Sequence, residues 1–112
     1  RIKGDDRIIL ISDATYSDAP VPPGYDGVTD LNFDYEGEIA GSNLTLDMAC
    51  RNMMKHTGAS IVDVFRFASY NPAIAVGFTD RGEIRVALRA DLIMVDHKVN
   101  VKSVYICGEQ KI

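Results

Sequence analysis

The chain has 112 residues, of which 46% are apolar and 25% charged, the composition of a folded globular protein. This length allows one small domain or a piece of a larger one. The formal net charge of -4 provides no basic field to attract nucleic acid or anionic lipid. No apolar run reaches the roughly 18 to 20 residues that cross a bilayer. We therefore expect a soluble, cytoplasmic protein that binds neither nucleic acid nor membranes.

The first predicted element is a strand formed by four consecutive apolar residues, Ile8 to Ile11. Because the run does not alternate with polar residues, it is typical of a parallel strand buried on both faces. The run stops at Ser12-Asp13, which puts a carboxylate at the carboxyl end of a strand, where α/β folds and barrels carry catalytic groups. Asp is also common after strands for turn reasons, so the pattern alone leaves Asp13 open between a catalytic and a capping role.

A long connection follows over residues 16–43 and is rich in Pro, Gly and Asp. Connections of this length in compact domains tend to be functional or to contain small elements of their own. Leu31 and Phe33 alternate with polar residues ahead of a turn signal at Glu36-Gly37, which predicts a short hairpin inside the connection.

Helical periodicity begins after residue 42. Apolar residues at spacings of three and four predict a first helix that starts near Leu46 and ends at Gly58. Ser60 and Asp63 form a capping-box pattern ahead of a second apolar stripe over residues 61–68. Pro72 predicts that this second helix stops and that one more short helix runs through residue 76.

Beyond residue 77 the pattern changes to short segments rich in Val and Ile. These segments predict three strands over residues 83–86, 91–96 and 101–107. We expect the strands to form an antiparallel or sandwich-type β layer, and we place a domain boundary near residues 78–80.

Three blocks of sequence carry a resemblance to a known family. They are Ile-Ile-Leu-Ile-Ser-Asp-Ala-Thr over residues 8–15, Ile-Ala-Gly-Ser-Asn-Leu-Thr-Leu-Asp over residues 39–47, and Arg-Asn-Met-Met-Lys-His-Thr-Gly over residues 51–58. In this order they resemble the C-terminal third of the N-acetylglucosamine-6-phosphate deacetylase family. Residues 68–73 and 82–96 continue the match with blocks that amidohydrolases share more widely.

The resemblance implies an α/β fold, the C-terminal piece of a metal-dependent (β/α)8 barrel that carries a small β-sandwich. Residues 1–78 would supply the last barrel strand, its active-site loop and the closing helices. Residues 79–112 would supply the C-terminal strands of the small β-sandwich. A full barrel needs about 250 residues, so we expect that most of it lies outside this chain.

The resemblance also implies a reaction, the removal of the N-acetyl group from N-acetylglucosamine 6-phosphate by metal-activated water. Asp13 matches the general base and acid of the family, and a carboxylate beside a divalent ion can take a proton from water and return it to the leaving amine. Ile39, Ala40 and Gly41 match a loop segment that lies against the sugar. Since glycine also serves ordinary turns, Gly41 stays open between a substrate contact and a turn element.

The resemblance places the metal ligands on earlier strands, outside this chain. We therefore expect a divalent ion, zinc or similar, in the full-length protein and none bound by this chain alone. Cys50 and Cys107 lack metal-ligand spacing and are expected to be reduced and packed. His56 and His97 are expected to face solvent or to cap turns.

The expected partners are a small amino-sugar phosphate and a second copy of the chain. One barrel strand cannot satisfy its backbone alone, so we expect the 112-residue chain to be catalytically inactive and to form a homo-oligomer. Two alternatives stay open. The chain could belong to another amidohydrolase, a cyclic amidase or deaminase, or it could be a non-catalytic interaction domain. The number of metal-binding histidines on upstream strands would separate the two enzyme classes.

Overall fold

The structure, a computed structural model, describes residues 2–112; residue 1, where the predicted first domain begins, lies outside the described part. The chain forms two small antiparallel sheets with helices between them. In order, the elements are a 3-10 turn (Asp5–Arg7), β1 (Leu31–Phe33), β2 (Ile39–Ser42), α1 (Leu46–Thr57), α2 (Ile61–Phe65), a π-helical turn (Arg66–Tyr70), α3 (Asn71–Ala75), β3 (Leu92–Val95), β4 (Val101–Ile106) and β5 (Glu109–Gln110). This confirms the α/β class, while the barrel and the sandwich stay predictions about a longer protein.

The prediction of a buried strand over residues 8–11 is wrong for this chain. Ile8 has extended backbone angles, but Ile9 and Ile11 are 43% and 68% exposed, and no described strand pairs with this segment. An apolar run shows only that a strand is locally favourable, whereas a ladder needs a neighbouring backbone to receive its hydrogen bonds. The first pairing comes at the end of the segment, as a parallel bridge between Ala14 and Ser42.

The predicted hairpin within the long connection is confirmed by the antiparallel pairing of β1 with β2. The turn is closed by Asp34, whose carboxylate accepts hydrogen bonds from the N–H groups of Glu36 and Glu38 at 3.0 and 2.8 Å. Phe33 is buried, and its ring centroid lies 4.9 Å from that of Tyr25 in the preceding loop. The hairpin is therefore attached to the loop as well as closed by its own turn.

The end of α1 and the start of α2 lie where the sequence predicts them. Gly58 ends α1 with a φ of +72°, which favours glycine, and its N–H donates to the Met54 carbonyl. The predicted capping box is present, because the Ser60 hydroxyl accepts from the Asp63 N–H at 3.1 Å and the Asp63 carboxylate accepts from the Ser60 N–H at 2.9 Å. None of the helices in residues 2–112 has the length and apolar character needed to cross a bilayer.

The predicted short helix at Pro72 is present as α3, but the predicted break before it is wrong, because the chain stays helical from Ile61 to Ala75. Asn71, the residue before the proline, keeps helical angles of φ -62° and ψ -45°. Its N–H donates to the carbonyl of Arg66, five residues earlier, which is the hydrogen bond of a π-helix. This wider turn lets the helix continue past a residue that has no N–H of its own.

The tail forms the predicted antiparallel layer, but with different strands. β3 pairs with β4, and β5 adds a third strand of two residues, too short for periodicity to detect. The strand predicted over residues 83–86 is wrong, since this stretch is irregular and Ile84 is 88% exposed. Its alternating apolar residues have no partner backbone in the described chain.

A small core forms where the turn between β3 and β4 meets the helices. Val99 from that turn packs with Cys50 of α1 and Val64 of α2, and all three side chains are buried. The Arg51 guanidinium adds a hydrogen bond of 2.9 Å to the Val99 carbonyl. Val99 has a φ of +60°, a costly conformation for a β-branched residue. The contacts around Val99 therefore hold it in place against local strain.

We expect Val99→Ala to lower the free energy of unfolding by about 2 kcal/mol, since it removes two buried methyl groups and leaves a cavity. Val101→Ala makes the same change two residues on, at a side chain that is 44% exposed, and should cost under about 0.5 kcal/mol. Urea denaturation of both variants measures the difference. Equal losses would show that Val99 does not attach the tail sheet to the helices.

Candidate active site

Asp13 lies where the extended segment meets the hairpin. Its backbone has a φ of +51°, a left-handed conformation that Asp tolerates better than most residues. The Asp13 carbonyl accepts a hydrogen bond from the Ser42 N–H at 2.9 Å, while the side chain is exposed. The backbone of Asp13 is thus fixed by β2, and its carboxylate is presented to solvent.

Hydrogen bonds on both sides of Asp13 tie this segment to the hairpin. The Thr15 N–H donates to the Ser42 carbonyl at 3.0 Å, and the Ser42 hydroxyl donates to the Ser12 carbonyl. The side-chain amide of Asn32, on β1, donates to the Thr15 carbonyl at 2.5 Å and to the Ser42 carbonyl at 3.1 Å. The position of Asp13 therefore depends on both strands of the hairpin.

Gly41 lies directly against this segment and is buried. Its φ is +152°, and a Cβ atom added there would lie 2.5 Å from Thr15 Cγ2 and 2.9 Å from the Asp13 carbonyl oxygen. These separations are too short for a side chain, so only glycine permits the close approach of the two backbones. Gly41 occupies a strand and not a turn.

Ile39 and Ala40 precede Gly41 on β2, so the segment predicted as a loop is a strand. It forms a strand because Phe33 of β1 supplies the pairing partner of Ile39. The side chains of Ile39 and Ala40 are exposed. The structure thus brings Gly41 next to the backbone of Asp13 and places the other two predicted residues further along the same strand.

Two residues that support the site were not identified from the sequence. Ser42 and Asn32 make most of the hydrogen bonds that hold the segment around Asp13. Ser42 did have a signal, because it belongs to the Ala-Gly-Ser block that also contains Gly41. Asn32 had none beyond its place in an alternating strand, since its partner Thr15 is 17 residues away along the chain.

The loop after Thr15 is attached to the hairpin as well. The Ser17 hydroxyl donates to the Phe33 carbonyl at 2.5 Å, and the Tyr35 hydroxyl donates to the Asp18 carboxylate at 2.6 Å. The hydrogen bond to Asp18 raises the pKa of the Tyr35 phenol above its ordinary value. Residues 8–50 contain no Lys, Arg or His, so this side of the site has no cation to bind a phosphate.

Residues 2–112 do not fit a metal centre by themselves. No three His, Cys, Asp or Glu side chains in this range lie close enough together to hold an ion. His56 and His97 are exposed. Cys50 is a buried free thiol, and burial raises its pKa. Cys107 is exposed, which corrects the expectation that it packs, because it occupies the tight turn between β4 and β5.

A groove of about 560 Å³ lies elsewhere, between the helices and the tail sheet. It is lined mainly by apolar side chains, among them Leu46, Phe65, Leu92 and Val104. Asp13 and the hairpin residues around it do not line this groove. This groove and the carboxylate of Asp13 therefore lie in different places, and we assign the candidate site to the surroundings of Asp13.

Known proteins are similar to this chain in sequence and in structure. The model of the amidohydrolase family matches residues 3–111. The N-acetylglucosamine-6-phosphate deacetylase of Lysinibacillus sphaericus is 35% identical over 103 residues, which cover 86% of this chain and 27% of that protein. The putative N-acetylgalactosamine-6-phosphate deacetylase of Escherichia coli (strain K12) is 30% identical over 116 residues, covering 93% of this chain and 67% of that protein.

A solved deacetylase structure is also similar to this chain. The crystal structure of N-acetylglucosamine-6-phosphate deacetylase from Pasteurella multocida superposes with a TM-score of 0.79 at 26% identity, covering 95% of this chain and 30% of that one. This chain thus spans less than a third of the Lysinibacillus and Pasteurella proteins. Because the family match extends over nearly all of its residues, the chain belongs to the amidohydrolase family.

Proposed function

We propose that this chain is the C-terminal part of an N-acetylglucosamine-6-phosphate deacetylase. The named relatives support this activity, and the observation that carries it is the set of hydrogen bonds fixing Asp13 beside Gly41 and Ser42. In this proposal residues 1–78 supply the last barrel strand, the active-site loop and the closing helices. Residues 79–112 supply the C-terminal strands of a small β-sandwich.

Asp13 is the proposed proton-transfer group. Hydrolysis of the amide requires the attacking water to lose a proton and the leaving nitrogen to gain one. A carboxylate on a fixed backbone can accept the first proton and donate it in the second step. A divalent ion such as zinc would lower the pKa of the water in the complete enzyme. Since residues 2–112 form no metal site, its ligands would come from the rest of the protein.

The sugar would lie along β2, next to the exposed side chains of Ile39 and Ala40. Residues 8–50 contain no cation, so we expect cationic side chains from outside this range to bind the substrate's phosphate. N-acetylgalactosamine 6-phosphate is a second candidate substrate, favoured by the Escherichia coli relative that matches 93% of this chain.

Acetate release tests the proposed function in the longer deacetylase that would contain this chain. We expect hydrolysis of N-acetylglucosamine 6-phosphate or its galacto epimer, with kcat/KM at least about 10-fold above that for cyclic amides. Preferential opening of a cyclic amide, or deamination of a heterocycle, would support the other amidohydrolase alternative. No hydrolysis of any of these compounds would support an interaction domain.

The 112-residue chain alone is expected to self-associate and to lack deacetylase activity with added zinc. Its extended segment leaves Ile9 and Ile11 exposed and its backbone without a strand partner, so a second copy can cover it. Replacing both residues by Thr keeps the strand preference but removes apolar area, and should shift the species seen by sedimentation velocity toward monomer. Ile84→Thr, at an irregular exposed site, is the control and should have no such effect. A monomeric, active parent chain would contradict this proposal.

A further inference from the structure

The helical segment from Ile61 to Ala75 holds the backbone that leads to Asp13. The Leu10 N–H donates to the Phe67 carbonyl at 2.9 Å. The side-chain amide of Asn71, only 6% exposed, donates to the carbonyls of Asp5 and Ile8 at 2.8 and 2.7 Å. The Arg66 guanidinium also donates to the Asp6 carboxylate at 3.2 Å, so four hydrogen bonds connect this part of the helix to residues 5–10.

The Phe67 carbonyl is available to Leu10 because of Pro72. In π register the N–H of residue 72 would donate to residue 67, but proline has no N–H. The preceding donor, the Asn71 N–H, bonds to the Arg66 carbonyl. The Phe67 carbonyl therefore has no π-helical donor within the helix. The N–H of Leu10 donates a hydrogen bond to it instead.

Asp13 lies between this anchor and the hairpin. The helix holds Leu10 three residues before it, and Ser42 bonds to the Asp13 carbonyl itself. Leu10 is only three residues before Asp13, so a slip of one residue at Leu10 would displace the Asp13 backbone relative to the Ser42 N–H that it accepts from. The position of Asp13 therefore depends on the register at Leu10.

We infer that Asn71 and Pro72 form a positioning device for Asp13, in which Asn71 binds the extended segment and Pro72 creates the acceptor that sets its register. Asn71 is a positioning residue and not a catalytic one, since Ile8 is five residues, roughly 16 Å of extended chain, from Asp13. The inference rests on the proposed function of Asp13.

Pro72→Ala separates positioning from stability. The new N–H gives the helix a donor that competes with Leu10, so we expect an unchanged or raised melting temperature, at least about 10-fold faster hydrogen exchange at the Leu10 amide, and a several-fold lower kcat with little change in KM. Asn71→Leu should lower kcat by about 10-fold and also lower the melting temperature. Both variants are made in the longer deacetylase.

Ala49→Gly is the control for stability, because Ala49 is buried in α1 but lies outside the core cluster of Cys50, Val64 and Val99 against which Leu10 packs. It should lower the melting temperature while leaving the kcat of the folded enzyme and Leu10 exchange under native conditions unchanged. Unaltered Leu10 exchange in Pro72→Ala, or faster exchange with normal kcat, would overturn the inference. A different result would contradict the proposed function itself. That result is normal turnover in Asp13→Asn.

Discussion

Asp13→Asn is expected to lower turnover of the longer deacetylase by about 10²-fold or more, with little change in KM. The amide has nearly the shape of the carboxylate, and the hydrogen bond from Ser42 goes to the Asp13 backbone carbonyl, which the substitution retains. What is lost is the ability to accept and return a proton. Steady-state kinetics of acetate release, with KM and kcat determined separately, measures the effect.

Asp18→Asn is the control for charge. Asp18 is also exposed, lies five residues further along the same loop and makes a hydrogen bond to Tyr35. Its substitution removes the same charge from the same region and should change turnover by no more than about 3-fold. Near-normal turnover in Asp13→Asn would remove Asp13 from the mechanism. Equal losses in both variants would mean that the negative charge of the loop matters, and not proton transfer by Asp13.

Gly41→Ala is expected to lower kcat/KM by about 10²-fold, the second largest effect. The added Cβ would lie 2.9 Å from the Asp13 carbonyl and 2.5 Å from Thr15 Cγ2, so the strand end must move away from β2. The position of Asp13 and the surface beside Ile39 then change together, and a misplacement of about 1 Å is enough for such a loss. Because the displacement would affect both the proposed sugar contact and the proposed proton-transfer group, we expect KM to rise and kcat to fall.

Gly27→Ala controls for backbone strain. Gly27 also has a positive φ, +83°, but nothing lies within 4 Å of an added Cβ. Gly27→Ala should cost about 1–2 kcal/mol of stability for a side chain at a positive φ. Gly41→Ala should cost more, because the neighbouring backbone must also move, and only Gly41→Ala should lose activity. If the melting temperature of Gly41→Ala collapses while the folded fraction keeps normal kinetics, Gly41 is a structural residue alone.

Features set by neighbouring residues were predictable from the sequence. The Ser60 capping box and the end of α1 at Gly58 each depend on contacts within four residues. The break predicted at Pro72 was wrong because a proline inside a helix normally ends it, whereas here a π turn accommodates it. The exposed residues Ile9 and Ile84 show the same limit, since apolar patterning indicates what could be buried and not whether a partner is present.

The residues of the candidate site also differ in how far they could be predicted from the sequence. Asp13 and Gly41 could be proposed because their blocks resemble those of a family, whereas a predicted strand end and a glycine by themselves left both residues open between functional and structural roles. Their contact could not be predicted from periodicity, since 28 positions separate residue 13 from residue 41. Asn32 was missed for the same reason, because its role consists entirely of hydrogen bonds to residues that lie far away in the sequence.

In the proposed enzyme, strand β2 would couple the substrate contact mechanically to proton transfer. Ile39, Ala40 and Gly41 are successive residues of β2, and the next one, Ser42, holds the Asp13 carbonyl. A sugar bound along β2 as proposed would therefore displace Asp13 whenever it displaces Ile39. By thermodynamic reciprocity, anything that moves Asp13 also alters how tightly β2 binds the sugar. Binding energy gained at the sugar ring can thus be used to align the carboxylate with the scissile amide.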